Sequence, residues 1–456
     1  MTDKSIKRRE LILSGNLWKA VIVLAIPAAI NDFIRAMYNL IDTLFVSTIG
    51  SMEVAAITFV GPINMLVRTI SMGLSVAGTN LIAREIGRND IEKAKGVAKQ
   101  LLLIAVFFGT LITIFSLMFS EEILLSASAT PSIMESANLY FRLTVLSSPF
   151  VFINSIYVSI KRAEGDTLKA MNVNLVAMGI KIIITYVLII HLGFGISGLA
   201  ISTIAGTMFV TVYGLYDLFF KPGLLQLHLT KFQNFKIDKK FIIGLMIIAI
   251  PVIIEKSSIS FGFIVINKYV IEHGEIVLAS YGITNRVNSM FFSAVGGFAS
   301  GLSPIISQNL GAGQVDRARS AIKKSFTIAI GISIVIISAF LPFRSEIASI
   351  FAKGDLDIIF HTVNAMGAYS ITVIPWAVIQ VTNGVFQGTG HTKYNMYVSL
   401  LRIYLFRLPL VIIFTNYTNL AEYSVWYGML ISNVLTGMLA FSLYWYHRKD
   451  LKLSGE

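Results

Sequence analysis

Apolar runs of bilayer-crossing length recur along this entire chain, and that recurrence limits the fold more than any other feature. A spanning helix needs about 20 consecutive apolar residues. Such runs lie near 17–46, 54–82, 97–120, 136–160, 170–191 and 196–220, and again near 241–270, 276–308, 321–341, 358–386, 396–415 and 423–446. Only 14% of the residues are charged, against about 25% in a soluble domain. The pattern predicts an all-α polytopic membrane protein with 12 transmembrane helices, whose first partner is the lipid bilayer. The net charge of +12 is carried by short breaks between runs, so it implies no nucleic acid. The basic start, MTDKSIKRRE, precedes a run too long and too polar for a cleaved signal peptide, and it reads as a retained arm.

Charge alternates from break to break. One set holds Arg84, Arg88, Lys93, Lys95 and Lys99, then Lys161, Arg162 and Lys169, then five lysines between 221 and 240. It continues through Arg317, Arg319, Lys323, Lys324 and Lys393 to Arg448 and Lys449. The opposite set holds Glu53, Glu121, Glu122, Glu272, Glu275 and Glu422, with Arg344 and Lys353 its only bases. Basic loops stay inside, so the chain is expected in the cell membrane with both termini cytoplasmic.

A repeat divides the chain. A shift of 224 residues sets Ile26-Pro27 on Ile250-Pro251, Gly73 on Gly297, and IAREIGRNDIEKAK (82–95) on ISQNLGAGQVDRAR (306–319). The longest polar break, 221–240, falls between the copies. The expected organisation is two pseudo-symmetric six-helix lobes, 1–220 and 241–456, joined by a cytoplasmic linker at 221–240. Each repeat crosses an even number of times, so the lobes share an orientation, as in transporters that rock two lobes about a central site.

Charges inside these runs are the candidate functional groups, because an ionised side chain in hydrocarbon costs at least ~2.5 kcal/mol and normally faces a protein interior or a water-filled path. The first run carries Pro27, Asp32, Arg35 and Asp42. Asp42 is the strongest candidate, one turn beyond Tyr38. Asp32 and Arg35, three apart, share a helical face and are expected to pair, with Arg68 a further partner. In the second repeat Glu255 reads either as a coupling carboxylate or as a structural partner of Arg286. Arg402 and Arg407 add interior positive charge, which opens the reading of an anionic or zwitterionic substrate. Tyr38, Tyr140, Phe152, Tyr157, Trp376, Gln380 and Phe386 are the expected cavity lining. No GxxxxGK[ST] loop, HExxH spacing, nucleophile elbow or cysteine occurs. The reading is therefore not an enzyme, with no ATP drive, no metal and no cofactor.

The residues IP (26–27) with YNLID (38–42), ARxIG (83–87), RAEGDT (162–167), LGFGISGLA (192–200), the second IP (250–251) and QGTGHTK (387–393) together resemble the multidrug and toxic compound extrusion (MATE) family over the whole chain. The resemblance implies a secondary active multidrug exporter, reading as a monomer. It would move a small organic substrate, often a cation, out against entering H+ or Na+. In the archaeal-type members the Asp42 position is the cation-responsive aspartate, and Thr203 matches the family's threonine. The fifth helix departs: Lys181 stands where those members have asparagine, and Thr185 where they have a second aspartate. An ammonium beside Asp42 would compete with a bound cation, so a proton is expected before sodium, with Asp42 and Lys181 as a pair that opens on protonation or substrate binding. The coupling set is Asp42, Lys181, Thr203 and Glu255. The substrate set is Tyr38, Asp32, Arg35, Arg68, Tyr140, Thr185, Arg286 and Gln380. The alternative is a lipid-linked saccharide flippase of the same superfamily, in which Arg68, Lys181, Arg286, Arg402 and Arg407 would hold a pyrophosphate.

Overall fold

The computed structural model describes residues 3–46, 48–228, 239–352 and 355–449; half of the expected linker, 229–238, and Lys353 lie outside the described residues. The described chain is all-α. Eleven helices are long and apolar enough to cross a membrane, or twelve with one bent pair counted as a span. The spans of the first half begin with α2 (Leu17–Val46), α3 (Ser51–Gly87) and α4 (Ile91–Met118). They continue with α6 (Pro131–Val145) joined to α7 (Ser148–Ala163), then α8 (Thr167–Tyr186) and α9 (Gly195–Phe219). The second half has α10 (Lys239–Ile271), α11 (Glu275–Gly311), α12 (Val315–Phe340), α14 (Leu356–Tyr369) with α15 (Val373–Thr389), α16 (Lys393–Leu400) with α17 (Leu408–Tyr417), and α18 (Tyr423–His447). Short helices α1 (Asp3–Leu13), α5 (Ser120–Ser126) and α13 (Arg344–Ala352) complete the set.

Several spans run past the apolar stretches because local chemistry favours it. Helix α4 starts at Ile91, inside a basic break, where the Asp90 side chain accepts the Lys93 amide at 2.9 Å and caps the first turn. The fourth expected helix is instead two, α6 and α7, bent by 44°, with Pro149 in the first turn of α7. The basic arm is also a helix. Ile12 in α1 is fully buried, and the Arg317 guanidinium reaches the Leu11, Ile12 and Gly15 carbonyls at 3.3, 3.0 and 2.5 Å. Large apolar side chains such as Phe107, Leu111, Ile114 and Phe115 point outward along α4, as a lipid-facing surface requires.

Pro27 deprives the Val23 carbonyl of its helical donor. Thr167 Oγ1 supplies a replacement at 3.3 Å, and Thr392 Oγ1 likewise reaches the Ile248 carbonyl beside Pro251, at 2.8 Å. The two threonines follow glycines with matching left-handed backbone, Gly165 (φ 76°) and Gly390 (φ 82°). Motifs RAEGDT and QGTGHT thus each set a threonine hydroxyl on the proline-bearing helix of their half; in the first it replaces the donor lost at Pro27, and in the second it bonds the carbonyl one residue after the Ile247 carbonyl that Pro251 frees.

The halves meet at one face. Gly87 of α3 lies against the Gln308 backbone of α11, and Gly311 of α11 against the Arg84 backbone of α3. Each pair of counterparts is separated by the same 224 residues, so the crossing is two-fold symmetric. A Cβ at either glycine would collide with backbone, which is why small residues stand there. Asn80 Nδ2 seals the contact with bonds to Ser307 Oγ and the Gln387 and Gly388 carbonyls at 3.1, 2.8 and 2.7 Å, and Gln308 Nε2 reaches the Ala163 carbonyl at 2.6 Å. Helix α1 covers the same face, with Arg9 on the Ile86 carbonyl and Asn309 on the Ile12 carbonyl. Apolar clusters near this face draw on both halves, joining α3 and α7 to Leu245 and Ile248, and α2 to Phe298 and Leu302. Clusters toward the other face stay within one half: Ala56, Phe141 and Leu199 in the first, Tyr281, Tyr369 and Trp426 in the second. Among the described residues, the halves are joined at the face bearing α1, while the apolar clusters toward the other face each stay within one half.

Candidate functional site

Between the halves lies a cavity of about 280 Å³, lined from α2, α3, α7, α10, α11 and α15. Asp32 and Arg35 enter it from α2, Arg162 from the last turn of α7, and Lys256 from α10, five residues beyond Pro251. Ser75, Thr79, Ser155, Ser300, Ser303, Gln380, Asn383 and Gln387 supply hydroxyls and amides. Helices α2, α11 and α15 converge at Gly296, where a Cβ would lie 3.3 Å from Gln380 Nε2 and 3.7 Å from Asp32 Oδ2.

The charges here are unevenly matched. Asp32 Oδ1 lies 3.9 Å from an Arg162 guanidinium nitrogen. Lys256 Nζ donates to Glu255 Oε1 at 2.7 Å; Glu255 is 1% exposed, and its second oxygen has no partner. Arg35 is exposed and makes no ion pair among the described residues.

A second group lies further along α2. Lys181 Nζ, on α8, donates to Asp42 Oδ2 at 2.7 Å and sits 4.8 Å from the Tyr38 ring centre. Lys181 is buried, while the Asp42 carboxylate is about a quarter exposed. Asp42 Oδ1 is itself enclosed and has no hydrogen-bond partner. Arg68 lies within electrostatic reach of Tyr140, Arg35, Asp42 and Tyr38, and makes no ion pair among the described residues. The arrangement is a carboxylate held by an ammonium on a neighbouring helix, with one oxygen uncommitted and further positive charge nearby.

Other expected site residues are placed differently. Asp32 pairs with Arg162 rather than Arg35: α7 brings a guanidinium nitrogen to 3.9 Å from Asp32 Oδ1, while Arg35 is exposed. Glu255 takes the adjacent Lys256, and Arg286 is exposed and makes no ion pair among the described residues. Thr185 is buried and donates to Ser202 Oγ at 2.7 Å, and Thr203 bonds back to the Leu199 carbonyl at 3.0 Å. The first hydroxyl is thus spent between α8 and α9, and the second on the backbone of α9 itself. Gln380 lines the cavity; the expected aromatic lining does not. Phe152 and Tyr157 belong to the apolar core of the first half, where Tyr157 OH meets Asp217 at 3.4 Å. Trp376 packs on Phe292 and under the Arg402 guanidinium, and Phe386 is buried against Tyr394. The five bases of the flippase reading are not gathered: none lines the cavity, and Arg402 and Arg407 are buried within the second half, the latter on Ser432 and Asn433.

Arg162 and Lys256 were not singled out as site residues by the sequence. Arg162 sits in a break whose basic residues read as a loop, and only the helical path of α7 carries it into the cavity. A buried network also escaped notice: Lys161 holds Glu164 at 2.9 Å and Asp217 at 3.1 Å, and Lys169 joins Asp217.

The MatE family model matches residues 27–187 and again 251–413, two stretches that start 224 residues apart and cover well over half of the chain. The chain belongs to the MatE family. MatE relatives include a probable multidrug resistance protein of Bacillus subtilis, YoeA, 22% identical over 94% of this chain and 94% of that protein. Another is a probable multidrug resistance protein of Thermotoga maritima, NorM, 20% identical over 92% of this chain and 90% of that protein. Among solved structures, an outward-facing multidrug resistance MATE transporter superposes with a TM-score of 0.93, 24% identical and covering 99% of both chains. That likeness shows the fold.

Proposed function

We propose that this MatE protein is a secondary active efflux transporter, exporting small organic compounds from the cytoplasm against entering protons, with both termini cytoplasmic. The multidrug resistance relatives support export, and the basic breaks support the orientation. The half-to-half contact at the α1 face, with the cavity between the halves and apolar clusters toward the other face that each stay within one half, fits one end state of a two-state cycle. Symmetry in the Gly87 and Gly311 crossing fits halves that rock as units.

The observation that carries the coupling step is the Asp42–Lys181 bond at 2.7 Å beside an uncommitted Asp42 oxygen. A proton arriving at Oδ1 removes the charge that holds Lys181. The ammonium is then left buried beside Arg68 with no counter-charge, and a buried ion stripped of its partner costs about 3–5 kcal/mol. That is enough to change which packing of α2 against α8 is favoured, and Pro27 is the point at which α2 can bend. A ligand or ion that shifts the cycle must differ in free energy between its two states, and this pair supplies the difference. Sodium is the less favoured driver, because the Lys181 ammonium held on Asp42 repels a second cation and competes for the carboxylate charge.

Exchanging the charges, Asp42→Lys with Lys181→Asp, tests the pair. Proton-driven efflux of the double variant above that of either single variant is the expected outcome; a double variant no better than the singles refutes the pairing as a functional element.

A further inference from the structure

The cavity's chemistry runs opposite to the cationic substrates that the family resemblance implies. Its wall presents three cationic side chains, Arg35, Arg162 and Lys256, against one carboxylate, Asp32. Even with Lys256 held by Glu255, two cations face that one carboxylate. Arg162 and Lys256 keep only 14% and 32% of their side-chain surface exposed, so both lie in an enclosed space where water screens little. The rest of the lining is hydroxyl and amide, with Met72, Val76, Val252 and Ala299 its apolar side chains. No aromatic ring is among the described lining residues, so nothing there offers a π face to an organic cation.

We infer that the central cavity binds an organic anion, or a zwitterion through its anionic end, with a carboxylate, sulfonate or phosphate group seated among Arg35, Arg162 and Lys256. Guanidinium forks suit such planar or tetrahedral oxyanions. The three cations stand on α2, α7 and α10, which belong to both halves, so one anionic group draws the halves together from both sides. Gln380 complements them: its Oε1 accepts from Asn383 at 3.0 Å, leaving Nε2 free to donate toward the cavity. Asp32, hydrogen-bonded to none of these and facing Arg162 at 3.9 Å, keeps Arg162 from being wholly unpaired when the cavity is empty. A cation entering the same space would meet net repulsion. This inference names the substrate class of the exporter proposed above and rests on that reading for transport, but not for binding.

The test separates the two. The full-length protein in detergent is titrated with fluorescein, an organic anion, and with ethidium, an organic cation, and binding is followed by fluorescence anisotropy. Fluorescein is expected to bind more tightly than ethidium. Arg35→Gln and Arg162→Gln are each expected to weaken fluorescein about tenfold or more, the scale of a lost charge-assisted bond, while Arg35→Lys keeps most of the affinity. Ethidium binding more tightly than fluorescein overturns the inference, and this comparison needs no variant to fold. Neutralised variants that hold fluorescein as tightly as the wild type overturn it as well. The same two dyes are then offered to proteoliposomes under ion gradients. Fluorescein bound but carried under no gradient defeats the export reading and leaves this inference standing; ethidium carried in preference to fluorescein does the reverse.

Discussion

Adding one methyl group at Gly87 should open the face at which the halves join. The Cβ of an alanine there would fall on the Gln308 carbonyl of α11, which is backbone and cannot swing aside, so α3 and α11 must separate. Overpacking of this kind costs about 1–3 kcal/mol. A bias of that size shifts a two-state equilibrium by about 5- to 150-fold. Gly311→Ala should act to a similar degree, since its Cβ meets the Arg84 carbonyl in the mirror-related contact. Gly96→Ala, whose added methyl meets nothing, is the control. The chain contains no cysteine, so Ser303→Cys makes a clean single reporter in the cavity wall. Its labelling by a membrane-impermeant thiol reagent, applied from the α1 side, should accelerate several-fold or more in Gly87→Ala and in Gly311→Ala but not in Gly96→Ala. Unchanged labelling in both would refute the view that this crossing is the seal.

Further outcomes follow from single contacts. Thr167→Ala leaves the proline-freed Val23 carbonyl unpaired and should cost about 1 kcal/mol, read as a lowered melting temperature that Thr167→Ser substantially restores. Asp217→Asn strips the buried Lys161 and the partly exposed Lys169 of a shared counter-charge; a loss of about 3–5 kcal/mol is expected, visible as poor recovery of folded protein, and a normal melting curve would contradict it. Arg317→Ala releases the last turn of α1 from three carbonyl bonds and should speed proteolysis after Arg8 and Arg9, with an unchanged cleavage rate counting against a docked α1.

The number and order of spanning helices were legible because hydropathy and helical backbone pairing leave few choices within a bilayer. The repeat was legible because Gly87 and Gly311 answer to the same packing constraint, and the two starts of the family match share its 224-residue spacing. Asp42 with Lys181 could be anticipated as a pair, since two lone charges in apolar runs need each other. Partners of Asp32 and Glu255 could not. A residue such as Arg162 reads as part of a basic break until the bend between α6 and α7 sets the direction of its helix. Aromatic residues misled for a related reason: Phe152, Tyr157 and Phe386 satisfy core packing, and nothing in sequence separates a ring that fills a core from one that lines a cavity. Half of the linker expected at 221–240, residues 229–238, falls outside the described residues.

The account turns on Asp42 as the group whose protonation drives the cycle. The most direct measurement is transport into proteoliposomes under an imposed proton gradient and, separately, a sodium gradient, with wild type beside Asp42→Asn. Proton-driven transport in the wild type, abolished in Asp42→Asn while ligand binding in detergent persists, is the expected result. Sodium-driven transport, or proton-driven transport undiminished in Asp42→Asn, would contradict it.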